Sequence, residues 1–166
     1  GVGQSVRRKE DNRLLIGCGR YLDDIVLEDQ AYAVVIRSPH ANARILSIDT
    51  TEAKKSAGVL GIFTARDIES AGVTGIPCKV KVPSRDGLEM ANPLRPLLAK
   101  EQVRFVGDYV ALVVAESVKQ ARHARDLVLV DYEVEPSITH TAEATLPEAP
   151  QVWAEYPGNR VFDWEK

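Results

Sequence analysis

The side chains of this chain that could do chemistry gather at two places. Cys18 sits between glycines in Gly17-Cys18-Gly19-Arg20, and an elbow, Arg37-Ser38-Pro39-His40-Ala41-Asn42-Ala43-Arg44, holds two arginines, a histidine and an asparagine. A thiol beside an imidazole makes a nucleophile and its base. Cys18 with His40 or His123 would be such a pair, but no local hydrolase signature and no third, orienting group accompanies them. The three histidines (His40, His123 and His140) lack metal-ligand spacing, and a zinc site needs three or four converging ligands. The glycine pair suggests a phosphate loop, which requires a strand before it and a helix start after it. Tyr21-Leu22-Asp23-Asp24 is a poor helix start, so a plain turn is the better reading. Asp23 with Asp24, or Glu133 with Glu135, would be solvated charge, since neighbours on a strand point to opposite faces. No catalytic, cofactor-binding or metal-ligating residue is assigned.

The elbow is harder to set aside. Arginine carries a rigid fork of donors suited to carboxylates, phosphates and carbonyls at an interface. Ser38, His40 and Asn42 could equally tie the loop to itself by local hydrogen bonds. Arg37, His40, Asn42 and Arg44 are therefore candidate interface residues, with an internal lock as the companion reading. Proline at 39 disfavours the helical region for Ser38, so the chain turns or stays extended there.

Strands must position that elbow. Residues 30–37 read as a buried strand and residues 44–48 as a half-buried one, through Ile45 and Ile48. Asp49-Thr50-Thr51-Glu52 predicts a reciprocally capped helix running to about Ala57, with Gly58 in the left-handed position after it. Val59–Phe63 reads as a strand, and Thr64-Ala65-Arg66-Asp67 caps a second short helix. Residues 72–96 form a long proline- and glycine-rich excursion with Lys79–Val82 as a possible edge strand, and long loops of this kind often face a ligand or partner. A short extended piece over 101–105 precedes Tyr109–Ala115, the strongest strand of the chain. Ser117-Val118-Lys119-Gln120 caps a third helix that sends Val118, Ala121, Ala124 and Val128 into the core, and Leu127–Tyr132 returns as a strand. Strand, helix and strand in this order predict a crossover unit and an α/β or α+β domain with a mixed sheet. After Pro136 the period is lost, which predicts an irregular tail. The plan is an arm over 1–29, a core over 30–135 and a tail over 136–166.

The length of 166 residues suits one domain with a sizeable core. With 21 basic and 24 acidic residues scattered along the chain, there is no concentrated basic face for a nucleic-acid backbone. No apolar run approaches the roughly 20 residues needed to span a bilayer, and no secretory leader is visible. Two cysteines outside any C-x-x-C pair suggest free thiols in a reducing compartment, hence the cytoplasm. The chain starts at Gly1 and ends in Phe162-Asp163-Trp164-Glu165-Lys166, so both ends read as cut.

The ordered motifs carry a resemblance. Val6 to Asp24, with Leu14-Leu15-Ile16-Gly17-Cys18-Gly19-Arg20-Tyr21 at its centre, resembles the amino end of molybdenum hydroxylase large subunits. That is the xanthine dehydrogenase and aldehyde oxidase family, and most of all its bacterial aerobic carbon monoxide dehydrogenase large-chain branch. The elbow matches the family pattern except that Asn42 stands where a second histidine is commoner. Ser47-Ile48-Asp49-Thr50, Gly58-Val59, Thr64-Ala65-Arg66-Asp67-Ile68, Val103–Ala111, Val130-Asp131-Tyr132-Glu133 and Pro157-Gly158-Asn159 follow in family order, with Tyr109 replacing a common proline and Cys18 a common basic residue.

The resemblance implies the α/β hammerhead, the amino-terminal module of the molybdenum-binding subunit. It further implies a parent enzyme that oxidises a small substrate (carbon monoxide, an aldehyde or an N-heterocycle) with oxygen from water. The implied cofactor is molybdopterin, commonly as the cytosine dinucleotide, with iron–sulfur clusters on a small subunit and FAD on a medium subunit. Residues that hold the cofactor lie beyond this stretch in the family. The expected role is structural and interface-forming, without an active site of its own. The rival is a stand-alone ligand- or peptide-binding module that uses the 72–100 loop.

Overall fold

The computed structural model describes residues 2–165. Two compact units are present, Gly1–Gln30 and Ala31–Lys166. In the first, α1 (Asp11–Leu15) ends at Gly17, whose φ of +76° lets the amides of Gly17 and Cys18 turn back onto the carbonyls of Leu14 and Arg13. A single 3₁₀ turn, Leu22–Asp24, follows, closed by the Tyr21 amide donating to Asp24 Oδ2 at 2.8 Å. The glycine run is thus a helix stop.

Among its described residues the second unit holds six strands and three α-helices, with a 3₁₀ turn at Pro157–Asn159: β1 (Tyr32–Arg37), β2 (Ala43–Asp49), α2 (Thr51–Lys54), β3 (Val59–Thr64), α3 (Ala65–Ser70), β4 (Gln102–Val103), β5 (Tyr109–Ala115), α4 (Val118–Asp126) and β6 (Leu129–Val134). Helix and strand content fits the expected class, but the strands sort into two sheets, ordered β1-β5-β3 and β4-β2-β6, and every pairing is antiparallel. The predicted single mixed sheet and its crossover do not form. Both hydrogen-bonding edges of β5 are taken by β1 and β3, so α4 hands the chain to β2 of the other sheet instead.

The core lies under α4. Ala121 and Ala124 are fully buried, and their small side chains let the helix settle on Val113, Ala111, Ile36 and Ile62 of the first sheet. Ile45, Ile48, Val130 and Tyr132 of the second sheet close the cluster. Val118 departs from the expected core stripe, being 38% exposed in the first turn of α4. The Ser117 hydroxyl accepts from the Gln120 amide, a cap whose loss costs about 1 kcal/mol in typical helices.

At α3, the Thr64 amide and hydroxyl both donate to Asp67 at 2.7 Å, closing the expected helix start, and these bonds hold the Asp67 carboxyl below its ordinary value. At α2 the expected cap differs. Asp49 accepts from the Thr51 amide, while Glu52 pairs with Lys55 along the helix, and α2 is a single turn. Gly58 does occupy the left-handed region at φ +75°, and a Cβ there would collide with the Gln120 amide group.

Lys79–Val82 forms no strand. The excursion is pinned instead by one bridge, Ile76 to Arg95, and by the tail. Prolines at 77 and 83 flank the stretch and remove amides a strand would use. Among the described residues no helix is long and apolar enough to cross a membrane.

Candidate functional site

The elbow joins the last residue of β1 to the first of β2, and so links the two sheets. Its centre is Ser38, only 2% exposed. The Ser38 hydroxyl accepts from the His40 amide at 3.0 Å and lies 2.9 Å from the His40 carbonyl, which it donates to. The Ser38 amide donates to the Asp108 carbonyl, and the Gly107 amide donates to the Ser38 carbonyl, both at 2.8 Å. The facing turn owes its shape to Gly107 at φ +91° and to Asp108, whose carboxylate accepts from the amides of Arg104 and Tyr109. Two loops nearly seventy residues apart are thereby stitched backbone to backbone.

The four candidate residues take separate partners. Arg37 donates to the Gly107 carbonyl at 3.2 Å and to the Tyr109 hydroxyl at 3.3 Å, and its guanidinium lies 4.4 Å from the Tyr109 ring centre. His40 meets Tyr132 edge to face, with ring centres 5.0 Å apart. Burial pushes the Tyr132 phenol up from its ordinary value, the Asp108 charge adds to this, and a bond with Ser38 opposes it. Asn42 donates to the Pro136 carbonyl at 2.7 Å and accepts from Gln102 at 2.8 Å. Arg44 forms a 3.4 Å ion pair with Glu133, its cross-strand neighbour, with both side chains more than half exposed. Exposed pairs of that kind contribute at most about 1 kcal/mol. All four therefore act first as internal ties, Arg37 at the first sheet and Arg44 at the second.

Cys18 and Cys78 are free and exposed, and each contacts a backbone carbonyl two residues away, that of Ile16 and that of Val80. Among the described residues no group of three or more His, Cys, Asp or Glu side chains could hold a metal ion.

Two clusters escaped sequence reasoning. Arg104 stacks 3.8 Å from the Trp153 ring and donates to the Val152 carbonyl at 3.0 Å, which binds the tail to the end of β4. Asn159, at φ +54°, donates to the carbonyls of Ala144 and Pro150 and accepts from the Val152 amide, folding the tail on itself. In the second cluster Arg85 pairs with Asp163 and Glu165, and Arg160 with Asp86, clasping the tail to the excursion. Only the αL-tolerant Asn159 and the Pro-Gly before it signalled a fixed turn locally. Beside this clasp a hollow of about 580 Å³ is lined by Lys81, Pro83, Leu88, Met90, Asn92 and Tyr156. No buried side-chain donor or acceptor among the described residues lacks a partner.

What the first sheet leaves open is apolar. The first sheet has one face against α4 and another that carries Val35, Leu112, Val114 and Phe63, none of them part of the core cluster. The arrangement can bind a surface.

Residues 16–136 match the family model described as aldehyde oxidase and xanthine dehydrogenase, a/b hammerhead domain. The large subunit of nicotine 6-hydroxylase from Paenarthrobacter nicotinovorans is 43% identical over 132 residues, 80% of this chain and 15% of that protein. Among solved structures, quinoline 2-oxidoreductase from Pseudomonas putida 86 superposes with a TM-score of 0.75 at 39% identity, over 89% of this chain and 18% of that one. The Cu,Mo-CO dehydrogenase in its carbon monoxide reduced state gives a TM-score of 0.71 at 37% identity, over 90% of this chain and 18% of that one. The chain spans less than a fifth of the length of each.

Proposed function

Because the chain belongs to the aldehyde oxidase and xanthine dehydrogenase a/b hammerhead family, we propose that it serves as the structural and interface module of a molybdenum hydroxylase large subunit. In this reading residues 1–29 are an arm, 30–135 the hammerhead core, and 136–166 lead towards the molybdenum-binding domains. The parent enzyme oxidises a small substrate (carbon monoxide, an aldehyde or an N-heterocycle) with oxygen from water, in the cytoplasm. Molybdopterin, as the cytosine dinucleotide, supplies the redox chemistry, and iron–sulfur and FAD subunits carry the electrons away. The similar proteins support this: a hydroxylase large subunit, an oxidoreductase and a molybdenum-containing dehydrogenase.

Among the described residues no donor set fits a metal centre, and no chemical step is assigned to them. Their work is to hold a rigid two-sheet body. The observation that carries the reading is the elbow: this motif is spent on joining two sheets rather than on a reactive cluster. Arg37 and Arg44 remain partly free at the two ends of that join, as candidate contacts for neighbouring domains.

Metal analysis and turnover test it. The polypeptide encoded by the whole gene should bind molybdenum in about one-to-one ratio and oxidise a small substrate, whereas residues 1–166 alone should bind none and turn nothing over. Stoichiometric molybdenum in the short chain, or its absence from the whole-gene product, overturns the proposal.

A further inference from the structure

Just past the elbow the two sheets separate. The Ala99 amide donates to the Tyr109 carbonyl of β5 at 2.6 Å, whereas the Glu101 carbonyl accepts from the Ile45 amide of β2 at 2.8 Å. Residues 99–101 therefore cross from one sheet to the other. β4 covers β2 only at Ala43 and Arg44, and from Leu46 onward that edge of β2 has no partner strand among the described residues. On its other edge the ladder with β6 slips between Ile45 and Ser47, a bulge that leaves Leu46 without an opposite residue. A hollow of about 320 Å³ opens here, between residues 45–48, the first turn of α3 and Ala99-Lys100. Ala65 and Ala99, which are 6% and 1% exposed, line it and are too small to fill it. At about 30 Å³ per water it has room for an oxyanion and several waters.

The charge around this hollow has one sign. Arg66 and Lys100 line it, and no carboxylate does. Two other hollows instead set a cation against an acid, Lys81 with Glu89 and Lys54 with Asp67. The chain as a whole has a formal charge of -3, so the positive lining is not the by-product of a basic surface. Arg66 accepts from the Ser70 hydroxyl through its carbonyl, while its guanidinium has no hydrogen bond or ion pair among the described residues. Lys100 pairs with Glu69 at 2.9 Å, both side chains being about half exposed, and such a pair is weak enough to be shared. The acids of α3 are thus engaged, Glu69 with Lys100 and Asp67 with the Thr64 amide and hydroxyl. Asp131, opposite Ser47 on β6, does not line the hollow.

We propose that this hollow is an anion site for a phosphoryl dianion, free or carried by a small ester. Arg66 supplies paired donors that match the oxygens of such a group, and Lys100 supplies a second positive charge. The bound group bridges the sheets, since residues 45–48 belong to the second and Arg66 follows directly on β3 of the first. The site goes beyond the structural role proposed above and needs no molybdenum.

Protection from side-chain modification tests it in the polypeptide encoded by the whole gene, at constant ionic strength. Phenylglyoxal labels arginine and acetic anhydride labels lysine, both read by mass spectrometry, with Arg122 and Lys119, exposed on α4, as references. Inorganic phosphate should slow labelling of Arg66 and Lys100 at least about fivefold, with half-effect below about 10 mM, and leave the references unchanged. Phenyl phosphate is run beside it, and the lower half-protecting concentration tells whether the group arrives free or as an ester. Arg66→Gln should raise the concentration that half-protects Lys100 at least about tenfold, and Arg66→Lys should restore part of that loss. The proposal is overturned if neither compound protects, if chloride or the references show the same protection, or if Arg66→Gln leaves the half-protecting concentration unchanged. It is also overturned if Arg66 resists labelling before phosphate is added, because protein would then already fill the hollow.

Discussion

The two-sheet body and the clasped excursion of this chain are held by different forces. In the body, Val103, Val110, Val113, Ala121 and Ala124 are fully buried, and ladders of backbone hydrogen bonds run along β1, β5 and β3. In the clasp, the stretch around Arg85 meets the tail around Asp163 through exposed ion pairs and two backbone bonds, Arg85 to Asp163 and Ala91 to Val161, each 2.8 Å. Burial of apolar area acts at any ionic strength, while exposed charge pairs are screened and individually weak. The body should therefore be rigid and the clasp conditional.

The strongest attempt to break this contrast is Val113→Asp. It places an unpaired carboxylate between α4 and the first sheet, which should cost about 4 kcal/mol or more and abolish cooperative urea unfolding. Leu112→Asp, one residue away on the half-buried opposite face, should cost clearly less and leave a folded chain. Equal collapse of the two variants would mean that the faces of the sheet are not energetically distinct.

Arg104→Ala probes the hinge between the regions. It removes the Trp153 stacking and the bond to Val152, a loss of about 1–2 kcal/mol felt by the tail. Trp153 fluorescence should shift towards that of a solvated indole, and the Val152 amide should exchange faster, while the Val113 amide keeps its protection. A matching loss at Val113 would show that the tail is part of the body's cooperative unit.

The body was legible because its signals are local. Continuous apolar runs marked β1 and β5, Ser117 with Gln120 and Thr64 with Asp67 marked helix starts, and Gly58 marked a stop. The prediction of a crossover failed because periodicity says nothing about which edges of β5 are already occupied. Lys79–Val82 alternates like a strand, yet no partner reaches it. At the elbow, residue types announced a polar knot, but the partners of Arg37 lie about seventy residues away, and those of Asn42 sixty and ninety-four. The clasp was illegible for the same reason, since Arg85 and Asp163 are 78 residues apart and charge scattered along a chain does not declare its pairing.

The finest test uses pH and salt on the clasp alone. The Ser84 hydroxyl and the Leu88 amide, both donating to Asp86, hold its carboxyl below the ordinary value, with partial burial opposing and Arg160 assisting. A depressed carboxylate contributes stability that is present above its unfolded pKa, near 3.9, and lost as pH falls through the lower folded value. Acidification below about pH 4 should therefore loosen the clasp, by protonating Asp86 and freeing Arg160. High salt should act in the same direction by shortening the screening length from about 10 Å at 0.1 M to about 3 Å at 1 M. The readout is the protection of the Arg85 and Ala91 amides, each corrected for its intrinsic exchange rate, with Val113 as the internal standard. Both amides should lose protection in 1 M salt and in acid before Val113 does. If they keep pace with Val113 under both conditions, the clasp is held by packing rather than by charge, and the distinction between the two regions fails.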